Sequence, residues 1–99
     1  MIKLEAKETV WSLYMIRCGD GSLYTGISND VARRLEKHQE MGKEGAKYLR
    51  GKGPLELVFQ QEIGSQSLAT KMEQKVKKLS KPQKETMVRQ GVFLDKLTS

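Results

Sequence analysis

The alternation of apolar and polar residues predicts two strands close to the start of the chain. The segments 11–17 and 22–27 are rich in the aromatic and branched side chains that favour strands. Gly19-Asp20-Gly21 lies between them and carries a strong turn signal. The pattern therefore predicts a β-hairpin.

The length of the hairpin loop decides which side chains share a face of the sheet. A three-residue loop places Tyr14 opposite Gly26 and puts Tyr24 on the same face as Tyr14, whereas a two-residue loop would put the two tyrosines on opposite faces. We predict the three-residue loop. A glycine opposite Tyr14 also predicts open space above the tyrosine ring, where another group could approach.

A helix is predicted to follow the capping residues Ser28-Asn29-Asp30 and to run to about Met41. At 100° per residue, one roughly 100°-wide sector of this helix holds Val31, Arg34, Leu35 and His38. Arg33 and Lys37 point away from that sector. Arg34 and His38 are therefore expected on the inward edge, and Arg33 is expected to be an ordinary surface residue.

The second half of the chain predicts a basic loop, a strand and two helices. Residues 42–53 are rich in glycine and lysine and are predicted to hold one helical turn at 46–50. The alternating segment 55–62 predicts a third strand. Ser65 is predicted to cap a helix that ends at Leu79, and a further helix is predicted from Ser80-Lys81-Pro82 to about Gly91.

The first of these helices has a predicted buried stripe, which consists of Leu68, Met72, Val76 and Leu79. Glu73 is expected on the shoulder of that stripe. The element order is ββ-α-β-αα, and it predicts an α/β fold of the α+β type, with a small three-stranded antiparallel or mixed sheet flanked by helices.

Composition limits the size and the class of the protein. A chain of 99 residues predicts a single domain, with its core at about 11–90 and terminal tails at 1–9 and 92–99. One cysteine allows no intrachain disulfide. The sequence has no apolar run near the ~20 residues of a membrane span and no secretion signal, so a cytoplasmic protein is expected.

The charge indicates the class of partner. The chain has 18 Lys and Arg residues against 12 acidic ones, a net charge of +6. Such a balance favours polyanions, nucleic acid first among them. Many small proteins are mildly basic for solubility alone, so the charge does not decide the function.

A set of residues that could carry out chemistry resembles the motifs of the GIY-YIG nuclease superfamily. Ser12-Leu13-Tyr14 is similar to the first motif, and Tyr24-Thr25-Gly26 follows ten residues later as the second. Arg34 lies eight residues after Gly26, and Glu73 lies in a helix that looks like the family's metal-binding helix. The resemblance spans about 11–89 and is closest to small single-domain bacterial members (YhbQ-like).

The resemblance implies hydrolysis of DNA phosphodiester bonds with one Mg²⁺ or Mn²⁺ ion. Glu73 would be the hard oxygen ligand of the ion, and Arg34 would bind the phosphate. The family implies a tyrosine base. Tyr14 is the favoured candidate, because the positive charge of Arg34 and His38 would favour its deprotonated form, and Tyr24 would orient the water or the phosphate. The expected nucleic-acid contacts are Gly26, Lys47, Tyr48, Arg50 and Lys52.

Each of these residues also has a structural explanation. The tyrosines could be packing residues, Arg34 could pair with Asp30, and His38 could complete the apolar edge of its helix. Glu73 could simply pair with Lys77 one turn later.

The chain also departs from the pattern of some larger family members. Ile27 occupies a position where these members carry a lysine, and no asparagine follows Asn29. These departures predict weak, structure-directed or nonspecific cleavage, in DNA repair or processing, or dependence on a protein partner. The alternative functions are a nucleic-acid-binding module that cuts little or nothing and a protein-interaction domain with incidental charge.

Overall fold

A computed structural model describes residues 10–40, 53–94 and 97. It contains β1 (Trp11–Arg17), β2 (Leu23–Ser28), α1 (Val31–Glu40), β3 (Glu56–Gly64), α2 (Gln66–Lys77) and α3 (Lys81–Gln90). The predicted order ββ-α-β-αα is therefore confirmed. The predicted helical turn at 46–50 lies outside the described residues. No helix among the described residues is long and apolar enough to cross a membrane.

The three strands form an antiparallel sheet in the order β2-β1-β3. The predicted hairpin register is confirmed, because Tyr14 pairs with Gly26 across β1 and β2. The loop closes where the Cys18 amide donates to the Ser22 carbonyl at 2.9 Å and the Gly21 amide donates to the Cys18 carbonyl at 2.9 Å. The odd loop length thus places the two tyrosines on one face of the sheet.

β1 is the central strand, and its residues from 12 to 16 are all buried. Alternate side chains of β1 enter two different apolar clusters. The larger cluster, here called the packing face, consists of Leu13, Met15, Phe59, Val76, Leu79, Met87 and Leu97. The smaller cluster, here called the site face, consists of Tyr14, Ile16, Cys18, Val31 and Leu55. The sheet is therefore covered on both sides, by α2 and α3 on the packing face and by α1 on the site face.

The caps of α2 and α3 explain where these helices begin and end. The Ser65 hydroxyl accepts from the Leu68 amide at 3.1 Å, as the sequence predicts for a helix N-terminus. Ser80 and Gln83 form a reciprocal capping box at the start of α3. Gly91 ends α3 in the left-handed conformation, with φ 76°, a backbone geometry that favours glycine.

The predicted buried stripe of α2 is wrong at one position and its predicted end is two residues too late. Leu68 is 54% exposed, whereas Ala69 is fully buried. Val76, Met72 and Leu79 do lie in or against the packing face. Leu68 is in the first turn of the helix, beyond the part that the sheet covers, so an apolar side chain at helical spacing is left at the surface. α2 ends at Lys77 and not at Leu79.

An ion pair fastens the end of β1 to α3. The Arg17 guanidinium donates two hydrogen bonds of 2.7 Å to the two carboxylate oxygens of Glu85. The Lys81 ammonium donates to the Gly21 carbonyl in the hairpin loop at 2.7 Å. The pair holds the pKa of Glu85 below its ordinary value, because the carboxylate accepts these hydrogen bonds and faces the positive charge of Arg17. α3 therefore fixes the hairpin that carries the two tyrosines.

Candidate active site

Two tyrosines and a glycine form the centre of the site on the hairpin. The rings of Tyr14 and Tyr24 are 6.4 Å apart between centroids and are tilted by 46°. A methyl group at Gly26 would lie 2.6 Å from the Tyr14 hydroxyl oxygen and 2.7 Å from Cζ. The space above Gly26 is therefore filled by the end of the Tyr14 side chain. The expectation of open space at this position is therefore wrong. Because Gly26 has no side chain, the end of the Tyr14 side chain can lie against β2.

Burial sets the protonation state of Tyr14. Its side chain is 2% exposed, and burial raises the pKa of the phenol well above the ordinary tyrosine value. The neighbouring Tyr24 raises the pKa further, Arg34 lowers it, and Glu73 raises it again. The sequence led to the expectation that positive charge would favour the phenolate. The opposite direction prevails here, because Tyr14 is buried in an apolar cluster and desolvation of the charged form outweighs the attraction of Arg34.

Arg34 and Glu73 come from two different helices and both act on Tyr14 electrostatically. Arg34 lies in the first turn of α1, where its amide donates to the Asp30 carbonyl at 3.1 Å. The Glu73 side chain on α2 is only 20% exposed, and its carboxylate pairs with the Lys77 ammonium at 3.3 Å. The fold thus brings a cation and a carboxylate, far apart in sequence, to the same tyrosine.

A polar hollow of about 350 Å³ lies at the start of α1. It is lined by Ser28, Asn29, Asp30, Arg33, Arg34 and Lys37. Arg34 is exposed, as are Arg33 and Lys37, yet it lies within electrostatic reach of the buried Tyr14. Val31 is buried, so the inward sector is centred on that residue and leaves Arg34 at its rim.

The hollow contains two cations that the sequence pattern had assigned to the opposite surface, Arg33 and Lys37. Their i,i+4 spacing on one side of α1 is the signal that could have grouped them. The other predicted contact residues, Lys47, Tyr48, Arg50 and Lys52, lie outside the described residues. His38 is part of α1, and its side chain is likewise outside the described part.

The donor set can be tested for its fit to a divalent metal. Within the described ranges, no three His, Cys, Asp or Glu side chains form a cluster, so the site is not a multi-carboxylate cage. Glu73 offers a partly buried carboxylate, a hard oxygen ligand within electrostatic reach of Tyr14. Mg²⁺ commonly binds through one or two carboxylates, with waters and substrate phosphate completing its coordination. Glu73 therefore fits a divalent ion that keeps waters and takes further ligands from the substrate.

A hairpin with two adjacent, tilted tyrosines, followed by a helix with Arg34 and a helix with Glu73, is the arrangement of a catalytic domain of the nuclease type. Residues 10–86 match the model of the GIY-YIG family, described as the GIY-YIG catalytic domain, and the chain belongs to this family. The GIY-YIG nucleases generally use a divalent metal and act on DNA.

Relatives of similar length are bacterial. The chain is 55% identical to a UPF0213 protein of Citrobacter koseri over 83 residues, 84% of this chain and 81% of that protein. It is 58% identical to a UPF0213 protein of Yersinia pestis over 81 residues, 82% of this chain and 83% of that protein. The solution NMR structure of the UPF0213 protein BH0048 from Bacillus halodurans has a TM-score of 0.54 and 39% identity, covering 91% of this chain and 94% of that chain.

Proposed function

We propose that the protein is a divalent-metal-dependent endonuclease that hydrolyses phosphodiester bonds of DNA. The observation that carries the proposal is that Arg34 and Glu73 both lie within electrostatic reach of Tyr14, whose ring is beside that of Tyr24. These four residues come from four separate elements. Packing alone does not require a carboxylate and a guanidinium beside a buried phenol. A base, a cation that binds phosphate and a carboxylate that can hold a metal are groups that hydrolysis of a phosphodiester can use.

Each side chain has a proposed task in the reaction. Glu73 holds the Mg²⁺ or Mn²⁺ ion, and Arg34 donates hydrogen bonds to the phosphate oxygens. Water attacks phosphorus while the bond from phosphorus to the 3′-oxygen breaks. The proton of the water passes to the Tyr14 Oη, and Tyr24 orients the water or the phosphate. When bound, the metal supplies positive charge that stabilises the leaving 3′-oxygen and opposes the effect of Glu73 on the pKa of Tyr14.

The raised pKa of Tyr14 predicts how cleavage responds to pH. The base is active only as phenolate, so the cutting rate should rise with pH throughout the range below that pKa. The increase should approach tenfold per pH unit if deprotonation of Tyr14 limits the rate. The residual activity of Tyr14→Phe should lack this dependence.

The proposal is tested by nicking of supercoiled plasmid and branched DNA with Mg²⁺, Mn²⁺ or chelator. Cutting should require the metal and should be lost in Tyr14→Phe and Glu73→Gln. In Arg34→Ala it should fall by about 10²–10³-fold, the usual effect of removing one charge-stabilising donor. Lys71→Gln is the matched control, because Lys71 is an exposed residue of α2 outside the site. Cutting that survives all three substitutions would show that the activity belongs to another protein or another site.

A nucleic-acid-binding module without strong cleavage is the second candidate. The observation that favours it is the buried, protonated Tyr14, which is a poor base until its pKa falls. Both candidates predict binding that weakens as salt rises, because phosphate contacts release counterions. Salt-sensitive binding with no cutting under either metal would select the binding module. Absence of binding at low salt would select neither and would favour a protein-interaction domain.

A further inference from the structure

A second groove lies along the edge of the sheet, beside the candidate active site and apart from the hollow at α1. It measures about 440 Å³ and is lined by Leu23, Tyr24, Thr25, Lys77 and Lys84. β2 is an edge strand of the sheet, and the two lysines come from α2 and α3. Three separate elements therefore build one groove with two ammonium groups.

Acidic side chains neutralise little of this positive charge. Among the described residues, Lys84 takes part in no ion pair, and the partner of Lys77 is Glu73 at 3.3 Å. Glu73 is the carboxylate proposed to hold the metal. The groove therefore offers two cations to a ligand, and an anion is the ligand that this charge favours.

A buried hydroxyl adds a second, independent indication of a ligand. Thr25 is 4% exposed, and its Oγ1 atom has no hydrogen-bond partner among the described residues. Buried hydroxyl groups in folded proteins are nearly always paired, so an unpaired one calls for an explanation. Thr25 lines the groove, and an oxygen of an anion seated against β2 would accept the hydrogen bond that this hydroxyl lacks.

Tyr24 connects the groove to the active site. Its ring lies beside that of Tyr14 on the site face, and Tyr24 also lines the groove with Lys77 and Lys84. Arg34 lies at the start of α1, on the other side of the sheet from α2 and α3. A strand of nucleic acid that crosses the edge of β2 would therefore meet Arg34 on one side and the two lysines on the other.

We propose that the groove formed by Thr25, Lys77 and Lys84 is a phosphate subsite for the substrate strand. It binds a backbone phosphodiester adjacent to the one that is cut, and it positions the strand across Tyr24. The inference rests on the proposed nuclease function, since it assigns a further contact to the same substrate. Lys77 and Lys84 act here as point charges on phosphate oxygens, and the Thr25 hydroxyl acts as a hydrogen-bond donor.

The experiment measures binding of a labelled DNA duplex over a range of salt concentrations, with chelator present so that no cutting occurs. Lys84→Gln is the first variant, because Lys84 makes no ion pair in the described fold. The slope of log K against log salt should become smaller by about 0.9, the value for one lost phosphate contact. Lys71→Gln removes the same charge from the exposed surface of α2 and should leave the slope nearly unchanged.

Thr25→Val keeps the shape of the side chain and removes the hydroxyl. This variant should bind DNA several-fold more weakly than the unsubstituted protein while its unfolding temperature is unchanged or higher, because an unpaired buried hydroxyl is removed. In the presence of Mg²⁺, Lys84→Gln should raise KM for cutting and leave kcat nearly unchanged, as expected for a residue that binds the strand away from the bond that breaks.

The outcomes separate this inference from the proposed function. Equal changes of the salt slope in Lys84→Gln and Lys71→Gln would show that the groove holds no phosphate. Binding by Thr25→Val that is as tight as that of the unsubstituted protein would show the same. Neither result would contradict the proposed metal-dependent cutting. If the unsubstituted protein neither binds nor cuts DNA, the subsite and the nuclease function are both overturned.

Discussion

The two faces of the sheet are built from the same central strand but differ in what they bury. On the packing face, Leu13 and Met15 meet the apolar side chains of two helices and contribute no polar atoms. On the site face, Tyr14 is just as deeply buried but carries a hydroxyl, and it lies within electrostatic reach of Arg34 and Glu73. The apolar cluster of the packing face is therefore held by hydrophobic contacts, while the site face keeps an ionisable group out of water.

This difference separates the residues that stabilise the fold from the residues with a proposed role in the reaction. Burial of an apolar side chain of this size contributes about 1.5–3 kcal/mol. Burial of a phenol removes a polar group from water and disfavours its charged form, which is why the pKa of Tyr14 rises. Substitutions on the packing face should therefore change stability, and substitutions on the site face should change activity by more than stability.

The largest expected loss of stability comes from Met87→Ala. Met87 is fully buried in the packing face, and truncation leaves a cavity that the fold closes only in part. The free energy of unfolding should fall by about 2–5 kcal/mol, measured by urea denaturation. Cutting per folded molecule should stay unchanged at a temperature where the variant is folded. A loss of cutting in the folded variant would mean that the two faces are not independent.

Gly26→Ala should affect the site face. The added methyl group would overlap the end of the Tyr14 side chain, so the ring must move away from β2. Overpacking of this kind costs about 1–3 kcal/mol of stability, and cutting should fall by more than the unfolded fraction explains. Gly21→Asn is the control, since no atom lies within 4 Å of the position and asparagine tolerates its φ of 89°. Normal cutting by Gly26→Ala would contradict a catalytic position for Tyr14.

The ion pair between Arg17 and Glu85 should make an intermediate contribution to the free energy of unfolding. Glu85→Gln should lower the free energy of unfolding by about 1 kcal/mol at neutral pH, the upper end for a partly exposed pair with two hydrogen bonds.

The pH dependence of this contribution follows from the lowered pKa of Glu85. The stabilisation is fully present above the ordinary glutamate pKa of about 4.3 and is lost as the pH falls through the lowered folded value. The melting temperatures of both proteins should therefore differ at pH 7 and converge in acid, below the lowered pKa of Glu85. Glu62→Gln is the control, because Glu62 is at an exposed position of β3. Its melting temperature should stay close to that of the unsubstituted protein at both pH values.

The smallest expected effect comes from Leu68→Ala, which marks the limit of the packing face. Leu68 is 54% exposed, so its truncation should change the free energy of unfolding by less than about 0.5 kcal/mol. Val76→Ala on the same helix should cost several times more, because Val76 is fully buried. Equal effects of the two substitutions in thermal unfolding would show that α2 packs differently from the arrangement described.

The sequence alone determined the parts of the fold that depend on local chemistry. The glycines and the aspartate of the loop set its length, and the loop length sets the hairpin register. A shift by one residue would place Tyr14 and Tyr24 on opposite faces of the sheet. Ser65, Ser80 and Gly91 fixed the helix ends, because caps satisfy backbone groups within a few residues. The ordered motifs also identified the family, and the model match over residues 10–86 confirms it.

Only the tertiary structure decided the environment of each side chain. Periodicity could not show that Leu68 extends beyond the covered part of α2, nor that Tyr14 fills the space above Gly26. The pKa of Tyr14 depends on how far burial outweighs the attraction of Arg34, and that balance depends on packing between distant elements. The groove of Thr25, Lys77 and Lys84 likewise combines a strand and two helices. Local sequence specifies the elements, whereas desolvation and charge at the site arise from contacts made only after the elements pack together.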